Sequence, residues 1–154
     1  MTSKNLAKLV ANAAITKKAY DITILDLRKL TAMTDYFVVC SVDSDTQARA
    51  VADAIKNESI EKGETSVRKE GYSEGRWILL DFIDVVAHVF HKDTREFYNL
   101  EKLWGDAKFD YVNGEPKPKE KTKKPQLNKS SLRSKADALI AQKKKTIRKK
   151  TAKK

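Results

Sequence analysis

The stretch Arg76-Trp77-Ile78-Leu79-Leu80-Asp81-Phe82-Ile83-Asp84-Val85-Val86-Ala87-His88-Val89-Phe90 decides the fold. Its two runs of β-branched, aliphatic and aromatic residues, Trp77 to Phe82 and Val85 to Phe90, read as strands separated only by Ile83-Asp84. So short a link forces them antiparallel, because a parallel return needs roughly a dozen residues or more. Upstream, Tyr36 to Ser41 is apolar without alternation, which predicts a central strand covered on both faces. Asp43 and Ser44 offer caps for the helix that follows, where Ala48, Val51, Ala52 and Ile55 recur at three and four residues until Gly63 ends it. Strand, helix, strand in that order implies an α/β layer with a crossover connection. Joined to the antiparallel pair, it gives a mixed sheet.

Working outward, Asp21 to Leu27 reads as a further strand and Thr65 to Lys69 as a weak, charged strand suited to a sheet edge. The first twenty residues carry lysines and no acids, which superficially resembles an organelle transit peptide. They lack arginine, however, and Leu6, Leu9, Val10, Ala13 and Ala14 recur at helical spacing, so a first helix of the domain is expected. Asp93-Thr94-Arg95-Glu96 has the spacing of a capping box, predicting a short helix from Asp93 that sets Phe97 and Tyr98 beside the hairpin and leads into Leu100 to Trp104. Both tryptophans, both histidines, three of the five phenylalanines and one tyrosine fall between positions 77 and 104. Such a density fits a recognition surface, since aromatics and arginine dominate interface energetics, and it fits a core hairpin with its packing helix equally well.

The net charge of +11 is unevenly distributed. Residues 115–154 hold 16 Lys plus Arg against 3 acids, a net of +13, which leaves residues 1–114 with 16 basic and 18 acidic side chains, a net of −2. Basic character therefore belongs to an appendage and not to the folded body. The composition changes at Gly114, so a domain is expected over 1–113 and a Lys/Pro-rich tail over 114–154. With Pro116, Pro118 and Pro125 among lysines, the tail has too little apolar surface to fold and is expected to be disordered. Ala136, Leu139, Ile140 and Ile147 would allow a marginal basic helix on an anionic partner. Lys143, Lys144, Lys145, Arg148, Lys149 and Lys150 are its candidate RNA contacts.

The lone Cys40, in an apolar strand, fits a buried thiol in a reducing, cytoplasmic setting. No apolar run approaches the roughly 20 residues needed to span a bilayer, so no membrane role is expected. Five glycines include no P-loop and no GxGxxG, and His88 and His91 sit at strand positions that point to opposite faces. Asp21 with Asp26 and Asp81 with Asp84 could hold a divalent cation for nucleotidyl transfer, but turn and cap roles account for them as well. Catalytic residues, a metal site and a cofactor are therefore all expected to be absent.

Asp26-Leu27, Asp35-Tyr36-Phe37-Val38-Val39-Cys40-Ser41, Gln47, Glu70-Gly71, Arg76 to Asp81, Asp84-Val85-Val86, His88-Val89-Phe90 and Arg95-Glu96-Phe97-Tyr98-Asn99-Leu100-Glu101-Lys102-Leu103-Trp104 stand in an order and spacing that closely resemble the ribosomal silencing factor family, also called Iojap-like. The resemblance spans about residues 4–110. It implies an α+β fold, sandwich-like, with a mixed central sheet flanked by helices and a nucleotidyltransferase-like topology that lacks the catalytic acids. It also implies attachment to the large ribosomal subunit through ribosomal protein fourteen, steric blocking of small-subunit joining, repressed translation, and a homodimer when free. The chain departs from the family's pattern in having Val42 and Ile83 where glycine is usual. A β-branched residue resists positive φ, which disfavours a tight primed turn at Ile83-Asp84 and leaves a bulged or open turn available.

On this reading Trp77, Tyr98 and Trp104 are candidate apolar anchors for the partner, and Asp81, His88, Arg95 and Glu101 supply polar register. Phe90, Leu100 and Leu103 are assigned to the core, with Trp104 open to either place. Alternatives are a large-subunit assembly factor, an RNA-binding protein that uses the tail, and a nucleotidyltransferase-like enzyme.

Overall fold

The computed structural model describes residues 1–113. The tail from 114 onward, with its expected disorder and its candidate RNA contacts, lies outside the described residues. Helix α1 (Ser3–Thr16) starts at Thr2, whose hydroxyl accepts from the Asn5 amide at 3.2 Å, and buries Leu6, Ala7, Val10, Ala11, Ala13 and Ala14. Four alanines in that stripe let α1 lie close against α2 (Asp45–Glu61). Ser44 caps α2 by accepting from the Gln47 amide at 3.1 Å, and beyond its end Gly63 takes φ +93°, a conformation open to glycine.

Among the described residues six strands form one sheet in the order β3-β4-β5-β2-β1-β6. They are β1 (Tyr20–Asp26), β2 (Tyr36–Val42), β3 (Arg68–Glu70), β4 (Trp77–Asp81), β5 (Val85–His91) and β6 (Lys108–Asn113). β2 is central and wholly buried, and β3 is a charged edge, both as its sequence suggests. The one parallel pairing among these strands, Tyr36↔Val85 to Val42↔His91, joins β2 to β5. Its crossover runs through α2, β3 and β4, so the hairpin strands complete the return that the helix begins.

Each central strand feeds two cores. Ile22, Ile24, Val38, Cys40, Ile78, Leu80, Val85, Ala87 and Val89 meet α1 and α2. Leu25, Phe37, Val39, Trp77, Leu79, Val86 and Phe90 face the opposite side, with Leu100, Trp104 and Ala107. The second side is covered by α3 (Lys92–Tyr98) and α4 (Leu100–Leu103), joined through Asn99 in the left-handed conformation. The fold is thus α+β, a mixed sheet between two helical layers.

Three expectations need correction. The capping box at Asp93 and Glu96 does not form: α3 begins at Lys92, and His91 caps it by accepting from the Asp93 amide at 3.4 Å. β5 runs to His91 without a break, so the helix has to start where the strand stops. Sequence reading missed β6, whose Phe109 and Val112 pack on opposite cores while charged Lys108 and Asp110 stay exposed. The turn at Ile83 is tight. Ile83 adopts φ +77°, and the Asp84 amide donates to the Phe82 carbonyl at 3.1 Å, which makes a γ-turn. Three surrounding bonds enforce it. Phe82 N–H donates to the Val85 carbonyl at 2.8 Å, Ile83 N–H to Asp81 Oδ1 at 2.8 Å, and Asp35 N–H to the Asp84 carbonyl at 2.8 Å. Val42, by contrast, is an ordinary buried strand residue.

Candidate partner-docking face

β4 and β5 point Trp77, Leu79, His88 and Phe90 to the face that α3 and α4 cover. Trp77 stacks on Phe90 with centroids 4.9 Å apart, and its indole N–H donates to His88 Nδ1 at 3.0 Å. In that bond Nδ1 acts as the acceptor of a donor-only indole. Phe37 meets His88 edge-on at 4.5 Å and Trp104 edge-on at 6.0 Å, extending the aromatic layer under α4. Tyr98 closes the stack from α3, its ring 4.7 Å from Trp77.

Arg95 ties this layer together. Its Nη1 donates to the Asp21 carbonyl at 2.6 Å and to Ser41 Oγ at 2.8 Å, and its Nε donates to Glu101 Oε1 at 2.8 Å. Nη2 also reaches Glu101 Oε1, and the Arg95 side chain is only 11% exposed. One guanidinium therefore holds α3, α4, β1 and β2 in fixed relation, a geometry a planar fork of donors suits. Asp21 presents its carbonyl from a bulge in β1, where the register shifts and φ is +49°.

Of the seven residues offered to a partner, Trp77, Trp104, His88 and Asp81 lie in the interior. This corrects the anchor assignment for Trp77 and Trp104, since a buried ring offers a partner no area. Asp81 caps the hairpin, and Arg95 and Glu101 are spent on each other. Tyr98 alone of the seven is well exposed, at 40%. Beside it, edge-on at 5.1 Å, stands Phe97, 81% exposed, which the sequence set beside the hairpin and did not offer to the partner. Helical geometry was the available signal: consecutive residues on a helix point about 100° apart, so Phe97 and Tyr98 could not both face the sheet. Phe90 and Leu100 are in the core as expected, and Leu103 is half-buried against it.

Elsewhere the chemistry is quiet. Burial pushes the Cys40 thiol up to about 12, with Arg95 pulling weakly the other way, so it stays protonated and unreactive at neutral pH. Burial, then the hydrogen bond to Asp43, lifts the Tyr20 phenol to about 12. Asp26 is held below the usual carboxylate range by the hydrogen bond from Arg28. Among the described residues no three His, Cys, Asp or Glu side chains are placed to share a metal ion. No described helix is long and apolar enough to cross a membrane.

A mixed six-stranded sheet between two helical layers, with a braced pair of aromatics exposed on one of them, defines the class: a small α+β domain. The same fold occurs in a crystal structure of a Chromobacterium violaceum protein, 36% identical, with a TM-score of 0.67 over 77% of this chain and 98% of that one. The ribosomal silencing factor of Bacillus subtilis is 48% identical over 107 residues, which is 70% of this chain and 91% of that protein. Its counterpart in Halalkalibacterium halodurans is 44% identical over 107 residues, 70% of this chain and 92% of the relative. The family model described as "Ribosomal silencing factor during starvation" matches residues 1–150. The chain belongs to the ribosomal silencing factor family.

Proposed function

We propose that the α3–α4 face docks on ribosomal protein fourteen of the large subunit, and that the bound body then occupies space the small subunit needs. The protein so represses translation in the cytoplasm by binding, with no turnover of substrate. The observation that carries this reading is the Phe97–Tyr98 pair, two adjacent aromatics left in solvent on a short helix that is itself braced from beneath by Arg95. An exposed aromatic pair on a rigid base is a preorganised anchor, because little side-chain or backbone freedom is lost on docking. Blocking requires only a bound lifetime longer than the encounter it prevents. Residues 1–113 are the docking unit, and the basic segment adds contact with ribosomal RNA. Free copies pair as homodimers, which would hide the same aromatics from water.

The test is sedimentation of purified large subunits with the full chain, followed by addition of small subunits. Wild-type protein should co-migrate with the large subunit and reduce joined ribosomes. Phe97→Ala with Tyr98→Ala should weaken attachment by about 30-fold, the equivalent of a buried anchor worth about 2 kcal/mol. Undiminished attachment by the folded double variant would show that another face docks.

A further inference from the structure

Glu70 is an acid without a partner at the rim of the aromatic layer. It ends β3 and stands opposite Leu79 of β4. Directly opposed residues of an antiparallel pair share a face, so its side chain projects to the side where Leu79, Trp77 and Phe90 pack. Gly71 fixes that position: a side chain there would collide with the Trp77 carbonyl, so β3 ends hard against the strand that carries Trp77. The Tyr98 ring, 40% exposed, lies 4.7 Å from the Trp77 ring on the same face. Glu70 is half-buried, and its Oε2 is sealed from solvent yet accepts no hydrogen bond. No described lysine, arginine or histidine forms an ion pair with it. Lys69 points to the opposite face, where its ammonium lies 3.6 Å from the centre of the Tyr72 ring, and Arg68 stands two residues back, opposite Asp81.

We infer that Glu70 and Tyr98 form one receptor for an arginine side chain of a protein partner, the guanidinium pairing with the carboxylate while its plane lies on the phenol ring. The inference rests on the docking reading for the identity of the partner and not for its chemistry. A carboxylate oxygen taken out of water without compensation destabilises the free body, and an incoming cation relieves that. Arginine suits both neighbours. Its flat fork of donors meets a carboxylate edge-on and its face stacks on an aromatic ring, whereas a lysine ammonium is a single point of charge. The backbone of RNA does not fit, because each phosphate would be set against an unpaired anion. The helix that presents Tyr98 adds exposed Asp93 and Glu96 against one exposed lysine, Lys92, so its field too favours a cationic guest.

The test is an NMR titration of the full chain with N-acetyl-arginine amide, run beside N-acetyl-citrulline amide, which has the same shape without the charge, and N-acetyl-lysine amide, which has the charge without the plane. The arginine probe should shift the Glu70 carboxyl and Tyr98 ring signals together, saturating at millimolar concentration, and the other two should do so weakly or not at all. Glu70→Gln should abolish both shifts and leave Tm unchanged or higher, because an unpartnered charge is removed with little change of shape. Citrulline or lysine as effective as arginine, shifts that survive in Glu70→Gln, or no shifts in wild-type protein would overturn the inference. A lower Tm in the variant would do so too, since the carboxylate would then be serving the fold. On purified large subunits Glu70→Gln should weaken attachment by about 10-fold, short of the loss at a fully buried ion pair because Glu70 is only half-buried. Equal attachment by wild type and Glu70→Gln removes the inference and leaves the docking reading intact. Binding of the arginine probe by a protein that does not sediment with large subunits does the reverse.

Discussion

Trp77 and His88 stand on neighbouring antiparallel strands, and the indole N–H donates to Nδ1 of the imidazole at 3.0 Å inside a layer of four further rings. The pair converts two amphipathic side chains into core. Each would otherwise bury a polar nitrogen at a cost of about 1–3 kcal/mol. His88→Ala removes the acceptor and opens a cavity beneath Phe37, so it should destabilise the body by about 3 kcal/mol in urea unfolding. A change under about 0.5 kcal/mol would show that the bond contributes nothing to the fold.

Arg95 braces the helix that carries Phe97 and Tyr98, and in the docking proposed above it supports that face without touching the partner. Arg95→Lys keeps the charge but offers one ammonium in place of three nitrogens that reach Glu101, Asp21 and Ser41. Stability should fall by about 2 kcal/mol, and large-subunit attachment should weaken even at temperatures where the variant is fully folded. If Arg95→Lys were as stable as wild type and still lost attachment, Arg95 would be touching the partner directly.

Ile83 is strained where glycine would rest. Its side chain is 65% exposed, so replacing it forfeits little burial, while φ +77° is open to glycine without penalty. Ile83→Gly is therefore expected to stabilise by about 1 kcal/mol, the relieved strain outweighing the added freedom of the unfolded chain. Thermal unfolding decides this: a lowered Tm would mean that the Ile83 side chain packs in a way its exposure does not reveal.

Alkali should loosen this fold through Cys40. The thiol is pushed from 9.0 up to about 12 by burial, so above pH 9 the unfolded chain loses a proton that the folded one keeps. Stability is then complete below pH 9 and declines as pH rises towards 12, by up to about 4 kcal/mol for a rise of that size. Tyr20, raised from 10.0 to about 12, adds to the same limb. Cys40→Ala should flatten the decline in urea midpoints between pH 9 and pH 11. Native protein should also resist thiol reagents that label it rapidly in urea.

The sequence determined by itself whatever depends on neighbours in the chain. Helical spacing from Leu6 to Ala14 and from Ala48 to Ile55, the unbroken run of β2, the two-residue link before Val85 and the split of charge at Gly114 are all periods, runs and counts. Tertiary structure decided which rings of the hairpin and of its covering helices are buried. β2, β4 and β5 are apolar on both faces, so their alternation could not say that Trp77 and His88 lie under a helix while Phe97 does not. Besides Glu101, six positions on, the partners of Arg95 are Asp21, Ser41 and Thr23, which lie 74, 54 and 72 positions away and beyond any local pattern. Ile83 follows the same rule: its own preference is against positive φ, and it yields because bonds from Asp35, Asp81 and Val85 together outweigh the preference of one residue.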